Sequence, residues 1–245
     1  MSTFSNAECL ELWEQGHGLH SLDQGLLLLG AEVGGVSFDA LADWPLGRRN
    51  QALAALRCRS FGARLQAWTA CPQCGERLEF ELDGRRIASH AEQTGESAPI
   101  QVNGRSYRVP TSRDLAQAAQ ESNSFAAAVR LVEACRLSAA ELDGIEIESG
   151  GPVEWTEEEV EEIGNRMALA DPMAEILMDL TCPECGHRSN KALDLVAFLW
   201  SEIEARAKRL LWEIHALASA YGWPEREILA LSDHRRRLYL EMVQA

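Results

Sequence analysis

Lysine is nearly missing from this chain. Its 245 residues include two lysines, Lys191 and Lys208, against 21 arginines and 38 acidic residues, giving a net charge of −15. So acidic a chain lacks the basic surface on which sequence-independent nucleic-acid binding rests. Its field favours solubility and basic partners instead. The preference for arginine over lysine reads as the mark of a GC-rich genome. Long apolar runs are missing too: the longest, Leu195 to Trp200, spans six residues, where a membrane-crossing helix needs about 20. Residues 1–15 show no basic region followed by an apolar one, so no leader peptide is expected and folding in the cytoplasm is. Catalytic signatures are absent as well. There is no Walker loop, no Gly-x-Ser-x-Gly elbow, no His-Glu-x-x-His pair and no dinucleotide fingerprint. His187, just after the second cysteine pair, could replace a ligand or tune the site but reads as a neighbouring or exposed residue; His215 and His234 have no acid or nucleophile partner that stands out, and the chain is not expected to be an enzyme.

What is present is a repeated device. Cys71-Pro72-Gln73-Cys74-Gly75 and Cys182-Pro183-Glu184-Cys185-Gly186 are one five-residue pattern used twice, 111 positions apart. The Cys-x-x-Cys spacing lets two thiolates face one ion, and the following glycine admits a positive φ that turns backbone N–H groups toward sulfur. A structural zinc takes four ligands in a tetrahedron, so the two pairs are expected to meet as Cys71, Cys74, Cys182 and Cys185 around one Zn2+. Paired cysteines in a ribbon are usually about 15–20 residues apart; the excess here implies a folded insertion. A redox role is the competing reading, but redox pairs sit where a strand enters a helix. Here the first pair runs into Leu78, Phe80 and Leu82 alternating with Arg77, Glu79 and Glu81, the pattern of a half-buried strand. Cys9, Cys58 and Cys135 have no framework spacing and read as buried thiols in a reducing compartment.

The fold class this implies is α+β, mainly α: a four-cysteine zinc ribbon interrupted by an α/β insertion and followed by a long C-terminal helix and short helices. Residues 1–70 form an N-terminal helical region, with helices expected at Asn6 to Gln15 (capped by Asn6), His20 to Leu29, Phe38 to Ala42 and Gly47 to Leu65. Arg48, Arg49, Arg57, Arg59 and Arg64 flank the last of these and read as a solvated face or a rim of salt bridges with the acidic surface, with partner binding as the alternative. Residues 71–84 and 174–195 are the two ribbon halves, with Asp83-Gly84 read as a turn. Residues 85–173 are the insertion. In it, Asn103-Gly104 between Ile100-Gln101-Val102 and Arg105 to Val109 signals a type I′ hairpin. Helices follow from Asp114, from Ser124 to Leu137, and from a Thr156 to Glu159 capping box. Polar loops are expected at residues 90–97 and 144–152.

Residues 196–245 form the C-terminal helical region. Val196, Leu199, Ile203, Ala207, Leu210, Ile214, Leu217 and Tyr221 step by 3, 4, 4, 3, 4, 3 and 4, a near-heptad seam. Trp200, Leu211, Trp212 and Ala218 widen it, which suggests burial on more than one side. Gly222 ends that helix, Pro224 opens a short one and Ser232 caps a last one. Arg235, Arg236 and Arg237 are the densest basic cluster. Two readings stand: weak pairs with surface carboxylates, or docking on an acidic neighbour. Trp200, Trp212, Trp223 and Tyr239 complete the candidate partner-binding set.

Several runs carry a resemblance: Leu46-Gly47-Arg48-Arg49-Asn50, Leu56-Arg57, Phe61-Gly62, the first cysteine pair with Gly75-Glu76, Thr111 to Leu115, Leu199 to Ile203, Tyr221 to Leu231, then Arg235 to Arg237 and Tyr239 to Glu241. Across most of residues 46–245 the chain resembles T4-type phage baseplate proteins, relatives of which occur in phage-like contractile injection systems. The resemblance implies a non-enzymatic role in building a baseplate, as a subunit or as an assembly factor for hub and spike, and partners among the other baseplate proteins. It implies a protein present in the cytoplasm during assembly and able to join the tail or injection particle. The alternative is a zinc-ribbon adaptor for nucleic acid or transcription machinery. That reading calls for basic and aromatic residues around the cysteines, where this chain has Glu76, Glu79, Glu81 and Glu184 beside Arg77 and Arg188.

Overall fold

The C-terminal seam becomes the axis of the molecule. In the computed structural model, which describes residues 4–89, 98–138 and 154–244, helix α9 (Leu195–Tyr221) runs for 27 residues, about 40 Å at 1.5 Å per residue. The Asp194 side chain caps its start by accepting the Ala197 N–H at 2.9 Å. Gly222, in the left-handed region at φ 69°, ends it and donates its N–H to Ala218 O. Leu199, Ile203, Ala207 and Leu217 on this helix are completely buried. The seam is buried on several sides because α1 (Asn6–Gly16), α2 (Ser21–Val33), α4 (Leu46–Phe61), α10 (Glu225–Ala230) and α11 (Asp233–Gln244) all pack on α9. The short α3 (Phe38–Ala42) lies against α2.

Local chemistry departs from the sequence reading at a few ends. Helix α1 is capped by Ser5, not Asn6: Ser5 Oγ accepts the Glu8 N–H and the Glu8 carboxylate accepts the Ser5 N–H, a closed capping box. Helix α2 continues through Gly30 to Val33 and ends at Gly34, φ 63°; Gly30 itself sits under the Phe38 ring, where a Cβ would lie 3.0 Å from it. Helix α4 stops at Phe61 and Gly62 turns the chain at φ 90°. Strand β1 (Arg64–Ala70) therefore starts where the helix was expected to end. Asp83-Gly84 does not turn the chain back; Asp83 caps a short helix α5 (Gly84–Ala88) by accepting the Arg85 N–H.

Among the described residues there are three antiparallel hairpins, each a separate two-stranded sheet: β1 with β2 (Arg77–Asp83), β3 (Ile100–Val102) with β4 (Arg105–Tyr107), and β5 (Leu177–Thr181) with β6 (Arg188–Ala192). The middle hairpin has the expected type I′ turn, with Asn103 at φ 50° and Gly104 at φ 74°. With α6 (Ser112–Ala118), α7 (Ser124–Cys135) and α8 (Glu157–Ala170) it makes up the insertion. Ile100, Val102, Tyr107, Val109, Val132, Val160, Ile163 and Met167 form an apolar cluster of their own, distinct from the main core around α9. Inside it the Asp114 carboxylate takes both Arg108 Nη groups, at 2.6 and 2.9 Å. Burial pushes Asp114 up, but Arg108 and Thr111 outweigh it and hold this carboxyl below its ordinary value. The polar loops expected at residues 90–97 and 144–152 lie outside the described residues.

The insertion is fastened at the start of α4. Pro45 has no side chain to cap that helix, and Asp171, at the end of α8, does the work from 124 positions away: its Oδ2 accepts the Gly47 N–H at 2.8 Å. Asn50 Nδ2 donates to Met173 O at 2.8 Å and Ala174 O at 3.0 Å, and Leu46 N–H donates to Pro110 O. Gly47 is required by this closeness, since a Cβ on it would lie 1.7 Å from Asp171 Oδ1. Gly47→Ala therefore has to expel the cap and leave a buried carboxylate short of a donor. We expect a loss of about 2–4 kcal/mol, read from the urea midpoint. An unchanged midpoint would mean the fastening carries no stability.

Candidate metal centre and partner surface

The two cysteine pairs are the tips of two hairpins. In the first, Cys71 N–H donates to Glu76 O at 2.8 Å and Gly75 N–H to Cys71 O at 2.9 Å. In the second, Cys182 N–H donates to His187 O at 2.9 Å and Gly186 N–H to Cys182 O at 3.0 Å. Gly75 and Gly186 have φ of 77° and 70°, so the same tight turn is built twice. The tips meet head to head. Cys71 Sγ lies 3.7 Å from Cys185 Sγ and Cys74 Sγ 3.6 Å from Cys182 Sγ, and all four sulfurs fall within 4.8 Å of one another. Four sulfurs at about 2.3 Å from a central tetrahedral ion stand about 3.8 Å apart, so the two contacts between the hairpins match such an ion and the donor set as a whole is close to one.

The two short contacts run from one pair to the other, which is unlike two independent dithiols. Each hairpin contributes one buried cysteine, Cys71 or Cys182, and one exposed one, Cys74 or Cys185. Leu78 and Leu180 pack beneath. Burial pushes the Cys71 thiol up, but the backbone N–H groups of Cys74 and Gln73 outweigh it and bring the thiol down to about 7. At Cys74 the Glu76 N–H pulls downward, yet Cys185, burial, Cys182 and Cys71 together push it up to about 12. The turn thus favours a first thiolate, and a second beside it is opposed by its neighbours unless a cation joins them. His187 supplies backbone groups and is not one of the four donors. Cys9 and Cys135 are buried away from this cluster, and Cys58 is partly so. Burial pushes the Cys135 thiol up to about 12.

The residues expected to bind a partner divide between surface and interior. Trp212 is 51% exposed, and Arg235 and Arg237 are exposed on α11. Trp200 is buried in the main core. Trp223 and Tyr239 are partly buried and join Tyr221 in an aromatic cluster, with ring centroids 4.7 to 5.9 Å apart. Arg236 is buried at 4% exposure, with Nε 2.6 Å from Glu213 Oε2 and Nη2 2.7 Å from Asp233 Oδ1.

The profile of the family described as "T4 bacteriophage base plate protein" matches residues 36–200. The chain belongs to that family. The matched stretch of this baseplate protein includes both cysteine pairs, the insertion and the Gly47–Asp171 fastening. It ends at Trp200, near the start of α9, so the tail segments that resemble the family lie beyond it. No curated protein and no solved structure matches.

The structure of the baseplate protein also brings out residues that the sequence placed wrongly. Arg49 and Arg57, expected on a solvated face or a surface rim of salt bridges, are 8% and 4% exposed. Arg57 meets the Glu202 carboxylate of α9 with Nη2 at 2.7 Å and Nε at 3.0 Å. No local signal marks this pair, because its members are 145 residues apart. Among the described residues no helix is long and apolar enough to cross a membrane.

Proposed function

We propose that this chain is a non-enzymatic structural or assembly subunit of a contractile-tail or injection-system baseplate, and that Cys71, Cys74, Cys182 and Cys185 hold one structural Zn2+. Membership of the baseplate family over residues 36–200 is the observation that carries the reading. The ion's part is to join the two hairpin tips as the staple of an interrupted ribbon, and four sulfur ligands leave it no open position for hydrolysis. In this reading assembly takes place in the cytoplasm, and the chain is able to join the tail or injection particle.

Partner contacts are assigned to the exposed part of the tail, Trp212, Arg235 and Arg237, with Trp223 and Tyr239 shaping the surface behind them. Trp and Arg are the residue types that dominate binding energy at interfaces. Deleting residues 222–245 would strip Ile228, Arg236 and Leu240 from the interior, so surface substitutions make the cleaner test. The chain is co-expressed with candidate baseplate proteins of the same source, and their co-purification is measured. Trp212→Ala combined with Arg235→Glu and Arg237→Glu is expected to reduce capture at least about tenfold, with zinc content and melting temperature unchanged. Equal capture by the triple variant would overturn the assignment of the tail. Failure of the wild type to bind any baseplate protein would overturn the assembly reading.

A further inference from the structure

A buried arginine without an ion-pair partner stands beside an open cleft. Arg49 is 8% exposed. Its Nε and Nη2 donate to Asn50 Oδ1 at 3.2 and 3.1 Å, and its Nη1 donates to Ser112 Oγ at 3.2 Å. These acceptors are neutral, and among the described residues no carboxylate forms an ion pair with it. The contrast with the other buried arginines is direct, since Arg57 has Glu202 and Arg236 has Glu213 and Asp233. Burial lowers the pKa of Arg49, opposed only by the more distant charge of Asp194. A guanidinium has five N–H donors, so two remain beyond the three used. A buried charge left without its opposite costs several kcal/mol.

Arg49 lines a cleft of about 270 Å³ where α2, α4, α6 and the base of the β5–β6 hairpin come together. Leu115, Ile176, Leu193 and Val196 give it apolar walls. Two carboxylates lie on its lining, Glu175 and Asp194. Asp194 is committed to the Ala197 N–H, and Glu175 is exposed. A multiply charged anion such as phosphate is disfavoured by these two acids, whereas a single carboxylate on an aliphatic body matches both the cation and the walls.

We propose that this cleft binds one carboxylate carried on an aliphatic polypeptide group of a partner, with Arg49 as its counter-ion. The group has two possible sources, the C-terminal residue of a partner chain or an aspartate or glutamate side chain within it. The inference gives the assembly reading a contact chemistry. It is tested on the isolated chain, so its failure leaves family membership and tail docking untouched.

The probes are N-acetyl-leucine for a chain terminus, N-acetyl-aspartic acid α-amide for a side chain, and N-acetyl-leucinamide as the uncharged control. Each is titrated into the zinc-loaded chain while the arginine Nε–H and backbone amide resonances are followed by NMR. Saturable shifts at Arg49 and the cleft amides are expected with one or both acids, with dissociation constants of about 1 mM, and none with the amide control. The stronger acid identifies the source. Arg49→Gln should weaken binding at least about tenfold. Ala192→Trp at the exposed mouth of the cleft should block it while leaving Arg49 and the zinc content in place, which covers the case in which Arg49→Gln fails to fold. Non-saturating shifts, an equal response to the amide, or undiminished binding by Ala192→Trp would overturn the proposal and leave Arg49 as an internal tie to Ser112.

Discussion

Replacing Cys74 or Cys182 by serine is expected to remove bound zinc and to lower the melting temperature by about 10–20 °C. The size follows from the way the hairpins are joined. Among the described residues they share no ladder, and their tips meet through the four sulfurs and apolar contacts around Leu78 and Leu180. Structural zinc contributes about 10–16 kcal/mol in small zinc-finger peptides. Here a larger core supports the fold, and a net loss of about 5 kcal/mol is the corresponding expectation, at about 2–4 °C per kcal/mol for a chain of this size. Elemental analysis should give one zinc per wild-type chain and far less than one in either variant. A strong chelator should lower the wild-type melting temperature to meet that of the variants and leave theirs unchanged. Wild type that purifies without metal, or variants that melt with it, would remove zinc from the account.

The second large effect belongs to the tail. Glu213→Ala is expected to cost about 3–5 kcal/mol in a urea melt, because it leaves the Arg236 guanidinium buried without its main counter-charge. Arg236 Nε lies 2.6 Å from Glu213 Oε2, and its Nη1 donates to Leu231 O at 3.2 Å. Asp233, at the start of α11, is largely exposed and replaces only part of what is lost. Replacing both members, as Glu213→Leu with Arg236→Met, should bring the cost back to about 1–2 kcal/mol, since apolar residues of similar volume substitute well for a buried pair. A single-variant cost below about 1 kcal/mol would place this pair with ordinary surface contacts.

Periodicity and turn chemistry were readable from the chain because they are local. The 3-and-4 steps from Val196 to Tyr221 gave α9 nearly to the residue. Asn103-Gly104 announced its hairpin, and Thr156 with Glu159 announced the start of α8. The repeated cysteine pattern led to four sulfurs now found within 4.8 Å. What failed depended on partners far along the chain. Arg49, Arg57 and Arg236 look solvated in sequence, and their burial follows from Ser112, Glu202 and Glu213. Glycine misled in a consistent way. Gly30 read as the end of a helix and Gly84 as part of a turn, yet each lies inside or at the start of a helix, where it lets Phe38, or Leu65 and Cys58, come close. A sequence does not tell a glycine needed for its backbone freedom from one needed for its missing side chain.

The head-to-head meeting of the hairpin tips also sets a timetable for biosynthesis. Cys74 emerges from the ribosome long before Cys182, 108 positions later. At about 5–20 residues per second, the leading thiols wait roughly 5–20 s for their counterparts. During that interval the tip of the β1–β2 hairpin has only its own ladder, while its base rests on α4 and α5 through Leu65 and Leu82, and a two-stranded hairpin is by itself only marginally stable in water. The newborn chain therefore passes through a stage in which half a clasp faces the cell's glutathione and its metal pool.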